Sequence, residues 1–430
     1  MKEIKVIIGK NFGDEGKGMT VDSLCNDCHA LVIRHNGGAQ AGHTVEDGAF
    51  RFIFQQLGSG SRWGCPTYWS RTFFPDLLKL SEEAEDFKQE VLSKYGKELE
   101  IKVYADGDCA CTIIYDVLLN SLVEQLRGKN RHGSCGMGIY EAVLRSRQQN
   151  FSLYLRDFKG ANCDNIVNRL YKIRQEYVYP RLEKICHNYE SIINRQENQE
   201  WISLIKNDNL LVNAAYTMCE NFKQYITITE PGVLFKNYDK IVFENAQGLL
   251  LDEDNKEYYP NLTPSHTGLN NVIELLGSLY CASTNMDNED NLLKSVDLEV
   301  IYVTRTYVTR HGAGRLDYEC KKEEINEGMV DLTNVPNPWQ EQLRYAKHPS
   351  IDKFFQYMKQ DFQLIEQLPC KKRVSLMVTH LDETGRALIF NDKVMNIFEF
   401  QEFCKKDMGI EVFTNESMWK IKKDKINQPN

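Results

Sequence analysis

Apolar residues in this chain gather in short β-branched runs that break on glycine. Val6-Ile7-Ile8 stops at Gly9, a loop runs on through Gly18, and Val21 and Leu24 then fall on one face at helical spacing. That pattern predicts strand, loop and helix in order. Ala30 to Ile33 predicts a second strand, Ile101 to Tyr104 a third, and the run at Ile241-Val242-Phe243 another. Between them, an amphipathic helix is predicted from near Pro75, and another over Ile113 to Leu126 with Ile114, Val117, Leu118 and Leu122 on its buried side. From about Asp157 to Thr229 the pattern turns polar and helical, with Leu170, Ile173, Tyr177 and then Leu182, Ile185, Tyr189, Ile192 as its apolar positions. This stretch reads as a helical layer or subdomain without a chemical motif.

Length and charge narrow the picture. With 430 residues there is ample chain for one large α/β domain or two smaller ones. The balance of 52 basic against 61 acidic residues is moderately acidic, and no basic tract stands out, which excludes a nucleic-acid surface. No apolar run is long enough to cross a bilayer, and the first residues run straight into a strand without a leader pattern, so a cytoplasmic protein is expected. The thirteen cysteines are then expected to be reduced and mostly buried. Cys25-Asn26-Asp27-Cys28-His29 has the spacing of a haem attachment site, but attachment needs export, and a closed zinc site would need a second pair of ligands.

The chemistry sits in the glycine loops. Gly13-Asp14-Glu15-Gly16-Lys17-Gly18 lies between a strand and a helix, where backbone N–H groups and the helix terminus favour an anion such as phosphate. It is not a Walker A loop, since Asn11 and Gly18 stand where that motif needs glycine and a hydroxyl. A dinucleotide fingerprint would not set two carboxylates against a pyrophosphate. After the second strand comes Arg34-His35-Asn36-Gly37-Gly38-Ala39-Gln40-Ala41-Gly42-His43-Thr44. An aspartate and an imidazole brought to one pocket serve as base and acid on one substrate.

Together these two strings resemble the adenylosuccinate synthetase family, whose loops read Gly-Asp-Glu-Gly-Lys-Gly and Gly-Gly-x-Asn-Ala-Gly-His-Thr, with Gln40 in place of the Asn. Further clusters continue the likeness. His132-Gly133-Ser134-Cys135-Gly136-Met137-Gly138 is similar to the family's 5′-phosphate loop, with Cys135 for a threonine, and Arg145 and Arg147 follow where family members send an arginine across a dimer interface. Phe243-Glu244-Asn245-Ala246-Gln247-Gly248, Tyr259 to Ser265, Thr309-Arg310-His311-Gly312-Ala313-Gly314 and Thr379-His380-Leu381-Asp382 each resemble a family motif.

The resemblance implies an α/β fold with a large, mostly parallel central sheet flanked by helices, carrying helical and loop subdomains in one domain over 1–430, and usually a homodimer. It implies that Asp14 deprotonates N1 of inosine monophosphate (IMP) so that oxygen 6 attacks the γ-phosphate of GTP, after which the amine of aspartate displaces the phosphate. On this assignment His43 is acid and donor to oxygen 6, Lys17 stabilises the transferring charge, and Gln247 offers an amide to the same oxygen. Gly13, Glu15, Gly16, Gly18, Asn36, Gly42, Thr44, Ser134, Cys135, Arg147, Thr263, Arg310, Arg344 and Asp382 would bind nucleotide, Asp382 reading guanine. Mg²⁺ would lie between Asp14, the Gly42 carbonyl and phosphate oxygens.

The likeness weakens after Gly314. Arg315-Leu316-Asp317-Tyr318 replaces Pro-Phe-Pro-Thr, and the arginine-rich run that holds aspartate is rebuilt as Thr333 to Gln342, leaving Arg344 as its one counterpart. His380 replaces a lysine, and Phe413-Thr414-Asn415-Glu416-Ser417 replaces a Ser-Thr-Gly-Pro loop beside the base. A ligase for another purine nucleotide or another amino acid is therefore the second reading, and a nucleotide-binding protein without turnover the third.

Overall fold

The structure, a computed structural model, describes residues 2–26, 29–48, 50–128, 136–284, 293, 295–328 and 343–415. Its strands in chain order are β1 (Lys2–Gly9), β2 (Ala30–Arg34), β3 (His43–Asp47), β4 (Phe50–Phe54), β5 (Thr67–Trp69), β6 (Val103–Ala105), β7 (Ile226–Ile228), β8 (Lys240–Gly248), β9 (Val296–Arg305), β10 (Val308–Arg310), β11 (Glu319–Cys320), β12 (Arg344–Ala346), β13 (Lys371–Thr379), β14 (Ala387–Ile389), β15 (Val394–Asn396) and β16 (Glu411–Thr414). Nine of them form one sheet in the order β16-β13-β9-β1-β8-β2-β5-β6-β7, and every pairing in it is parallel.

A parallel sheet must be covered on both faces, and the strand sequences meet that demand. Alternate residues of β1 go to opposite sides: Ile4, Val6 and Ile8 join one core with Ile241, Phe243, Leu298, Val300 and Tyr302, whereas Ile7 joins Val242, Ile301 and Val303 in another. Apolar residues on both faces explain why these strands read as unbroken runs instead of alternating ones.

Helices α1 (Lys17–Leu24), α2 (Leu80–Tyr95), α3 (Ile114–Arg127) and α4 (Ile139–Ser146) come first in the chain. Then α5 (Cys163–Ile173), α6 (Tyr179–Asn188), α7 (Gln196–Lys206) and α8 (Asp208–Tyr225) form the expected helical layer. Leu170, Ile173, Tyr177, Leu182 and Ile185 are buried in it, in a core continuous with β6 and β7, while Tyr189 and Ile192 are only partly covered. No described helix is long and apolar enough to cross a membrane. The helix expected from Pro75 starts later, at Leu80, because the Asp76 carboxylate accepts from the Leu78 N–H at 2.9 Å and holds that stretch as a turn.

Strand order sets the position of the site. From β1 the chain builds outward to one side through β2, β5, β6 and β7, and to the other through β9, β13 and β16. Order reverses at β1, and in open parallel sheets ligands bind in the crevice beyond the carboxyl ends of the strands at that reversal. The loops after Gly9, after Arg34 and after Thr379 begin at those carboxyl ends.

Candidate active site

The first loop leaves β1 at Gly9 and enters α1 at Lys17, between strands β8 and β9. Its two carboxylates are placed differently. Glu15 turns inward, is 3 % exposed, and accepts the N–H groups of Asn11 and Gly13 at 2.9 and 3.0 Å, so it braces its own loop. Burial pushes its carboxyl up, with Lys17 holding it back. Asp14 faces outward: its carbonyl accepts from the Arg305 guanidinium, and its carboxylate lies 3.5 Å from His311 Nε2.

Lys17 is 2 % exposed, donates to the Gly13 carbonyl at 2.5 Å and stands 3.7 Å from Glu15. Burial lowers its ammonium, and Glu15, Asp14 and Glu244 hold it up. Gly16 caps α1 in the left-handed region at φ 86°, and the first N–H groups of that helix have no partner within it. Gly18 permits a close approach to the second loop, since a Cβ there would lie 2.9 Å from the His43 Cβ.

His43 opens β3 and is buried. Its Nδ1 lies 2.6 Å from Oε1 of Glu244, a carboxylate with no solvent exposure that also accepts the Ser59 N–H at 2.9 Å and the Ser59 hydroxyl, with Arg34 at 4.0 Å. Burial alone would raise Glu244, but His43, Arg34 and Ser59 outweigh it and hold the acid at about 2. Burial lowers His43 to about 4, against the pull of Glu244. At neutral pH this is an anion facing a neutral imidazole, so Nδ1 carries the shared proton and Nε2 is left for the pocket. Asp14 and Glu244 both act on the charge of Lys17, and Lys17 acts on His43, so the four groups share one electrostatic field.

The other sequence candidates play different structural parts. Asn36 is fully buried and clamps the end of β8, donating to the Ala246 carbonyl at 2.8 Å and accepting its N–H at 2.7 Å. Gln247 sits beside it with φ 69°, its backbone packed against Gly13. Gly42 and Asp382 are exposed, and Thr44, in β3, and Thr263 are half-buried. Arg145 and Arg147 separate cleanly: Arg145 is fully buried on Asp116 at 2.8 and 2.9 Å and on the Cys111 and Phe151 carbonyls, whereas Arg147 is exposed and bonded to Glu253 at 2.6 Å. Ser134, Cys135 and residues 333–342 lie outside the described residues.

Arg310 and Arg344 face each other across the β10–β12 pairing. Arg310 is 1 % exposed, stacked 4.6 Å over Phe12, and donates to the Arg315 and Asn261 carbonyls at 2.5 and 2.8 Å. Burial and then the charge of Arg344 lower it to about 10. Arg344 grips Glu319 with Nε and one terminal nitrogen at 2.8 and 2.5 Å, and the Gly312 and Gly314 carbonyls with the other at 3.2 and 2.8 Å.

A cation at Asp14 suits the donor set. Mg²⁺ takes oxygen, uses one or two carboxylates and draws the rest from phosphate and water; Asp14 offers one outward carboxylate and the neighbouring loop an exposed Gly42. A tighter group of ligand-type side chains among the described residues is Asp252, Asp254 and His266, with His266 Nδ1 at 3.5 and 3.8 Å from the two acids. That imidazole is pushed up, first by its hydrogen bond to Asp252.

Sequence reasoning passed over Glu244, Arg305 and His311. A signal existed for the first: an acid directly after Ile241-Val242-Phe243 in a strand buried on both faces needs a partner. Nothing local to Arg305 or His311 announces that both turn toward Asp14.

A family model described as adenylosuccinate synthetase matches residues 6–334. The adenylosuccinate synthetase of Thermosipho africanus is 28% identical over 323 residues, 75% of this chain and 68% of its own. That of Thermoplasma volcanium is 27% identical over 323 residues, covering 74% of this chain and 64% of its own. The chain thus spans about two thirds of the length of these relatives. Among solved structures, the fully ligated adenylosuccinate synthetase of Plasmodium falciparum has a TM-score of 0.58 at 20% identity, over 88% of this chain and 77% of that one. The succinoaminodeoxyadenylate synthetase of cyanophage S-2L, solved with dGMP and dATP, has a TM-score of 0.51 at 13% identity, over 90% of each chain. Both share the fold.

Proposed function

Because the chain belongs to the adenylosuccinate synthetase family, we propose that it is a cytoplasmic, GTP-dependent carbon–nitrogen ligase of purine nucleotide biosynthesis that activates oxygen 6 of IMP or a related purine nucleotide and joins an amino-acid amine there. The observation that carries the reading is the pairing of His43 with the buried Glu244 in the same field as Asp14 and Lys17.

In this mechanism Asp14 takes the proton from N1 of the purine, which makes oxygen 6 a nucleophile toward the γ-phosphate. Arg305 holds the Asp14 backbone and His311 flanks its carboxylate, so the base is oriented before substrate arrives. Lys17 and the first N–H groups of α1 take up charge on the transferring phosphoryl group. His43 has its Nδ1 fixed by Glu244, and the Glu244 anion favours an imidazolium as negative charge builds on oxygen 6. Mg²⁺ held by Asp14 and the Gly42 carbonyl would neutralise phosphate charge. A protein that only bound nucleotide would gain nothing from an imidazole braced by a buried acid.

The test is kinetic. Asp14→Asn and His43→Asn should each lower turnover by roughly two orders of magnitude or more while nucleotide affinity, read by calorimetry, changes little. Near-wild-type turnover in either variant would remove that residue from the mechanism.

A further inference from the structure

A general base carried on a glycine-flanked loop needs its backbone fixed from behind. Gly13 at φ 124° and Gly16 at φ 86° bracket Asp14 and Glu15 in a conformation open to glycine, and the two carbonyls between those glycines are each taken by a neighbouring strand end. Arg305 closes β9 and donates Nε to the Asp14 carbonyl, while Thr379 closes β13 and its hydroxyl donates to the Glu15 carbonyl at 2.8 Å. Arg305 and Thr379 are register partners in the parallel pairing of β9 with β13, so the clamp is part of the sheet. Arg305 is 3 % exposed, and its aim is set two residues further on: one terminal nitrogen donates to the Tyr307 hydroxyl at 2.9 Å, and that hydroxyl donates to the Glu383 carboxylate. Tyr307 has no solvent exposure, and burial raises its phenol, so it keeps the proton it donates. The acidic pair at the far end repeats the division seen at Asp14 and Glu15. Asp382 is exposed, whereas Glu383 turns in and is half-buried, with its carbonyl held by Asn326 at 2.6 Å.

We propose that Tyr307 and Glu383 are positioning residues for the Asp14 base: Glu383 holds the Tyr307 hydroxyl, Tyr307 holds Arg305, and Arg305 holds the peptide from which the Asp14 side chain extends. The inference rests on the ligase reading, in which Asp14 takes the N1 proton. Both residues act on the rate through the place of one carboxylate, and a misplacement of about 1 Å is enough to cost on the order of a hundredfold. Such a chain has a signature that packing alone lacks. Breaking a link matters only while residue 14 carries the carboxylate being aimed.

The experiment separates this role from the reading it rests on. With the full-length protein, Mg²⁺ and IMP but no amine, GTP labelled with ¹⁸O at the β–γ bridge scrambles its label when oxygen 6 is phosphorylated reversibly, so the exchange rate reads the step that Asp14 begins. No scrambling by the unaltered protein would overturn the ligase reading and this inference with it. With scrambling in hand, Tyr307→Phe should slow the maximal exchange about tenfold, while the IMP and GTP concentrations that give half-maximal exchange stay within about twofold. Glu383→Gln, whose amide oxygen still accepts the Tyr307 hydroxyl, should lose less than Glu383→Ala. In the Asp14→Asn background, followed over incubations long enough for its slower exchange, adding Tyr307→Phe should cost less than about twofold further. An equal loss in both backgrounds, or an unchanged maximal rate in Tyr307→Phe, would overturn the positioning role and leave the ligase reading standing. Should a thermal melt show Tyr307→Phe to be unfolded, Glu383→Ala, at the half-buried end of the chain, takes its place in the same cycle with the same expected and overturning results.

Discussion

Glu244 is an acid at zero exposure that nonetheless stays ionised, and the reason lies in what surrounds it. Arg34 balances its charge, Ser59 supplies two donors, and the remaining bond goes to His43. A buried charge kept at this expense fixes the imidazole in one tautomer and aims Nε2 away from the core. Glu244→Gln keeps the shape and removes the charge. It should lower kcat by about a hundredfold with the nucleotide KM close to wild type, because the lost interaction strengthens only as the imidazole takes up charge. Steady-state kinetics, with a thermal melt to confirm folding, would check it, and a rise in KM alone would assign Glu244 to ground-state binding instead. At this scale the sequence was informative about residue type and silent about pairing. Asp14, Lys17 and His43 stand in the segments that follow β1 and β2, as expected, but the clamping of Asn36 on Ala246 follows from contacts across 210 residues, which no local pattern encodes.

Helices α3 and α4 are consecutive in the described chain, and an ion pair between Asp116 and Arg145 fixes them to each other. Asp116 accepts the Ile113 N–H at 2.9 Å at the start of α3 and both Arg145 donors at 2.8 and 2.9 Å. Gly138 at φ 73° allows the turn into α4, since any Cβ would strike the Asp116 backbone at 2.6 Å. Arg145→Met would leave Asp116 buried without its partner, which costs about 3 to 5 kcal/mol. Urea unfolding should show a loss of that size, and a loss under about 1 kcal/mol would mean that the pair is solvated. The sequence pattern located α3 to within a residue at each end, Ile113 to Leu126 against Ile114–Arg127, because its apolar spacing is regular over four turns. It misplaced the start of α2 because a turn closed by one aspartate side chain, Asp76, has no periodicity to read. Which arginine after the third loop is structural was equally hidden. Arg145 and Arg147 differ by two positions, and only packing decides that one points in and the other out.

At the scale of the whole molecule, the sheet gathers loops from distant parts of the chain along one edge, and the family match ends at residue 334, before Arg344 and Asp382 enter that edge. Alternating runs of strand and helix were enough to indicate an α/β class. The strand order was not legible, since it depends on crossovers of more than a hundred residues, such as that from β2 to its neighbour β8. Arg147 is 60% exposed in its side chain and tied to the protein by one contact to Glu253. A homodimer in which it reaches the partner's nucleotide would be isologous, each copy giving and receiving the same arginine. Asp14→Asn and Arg147→Ala should then each be nearly inactive alone. Mixed in equal amounts after subunit exchange, they should recover roughly a quarter of wild-type activity, because half of the dimers are hybrids and each hybrid holds one site with both residues intact. Light scattering across the mixture gives the oligomeric state, and activity that stays at the sum of the two variants in a confirmed dimer would place Arg147 in the site of its own subunit.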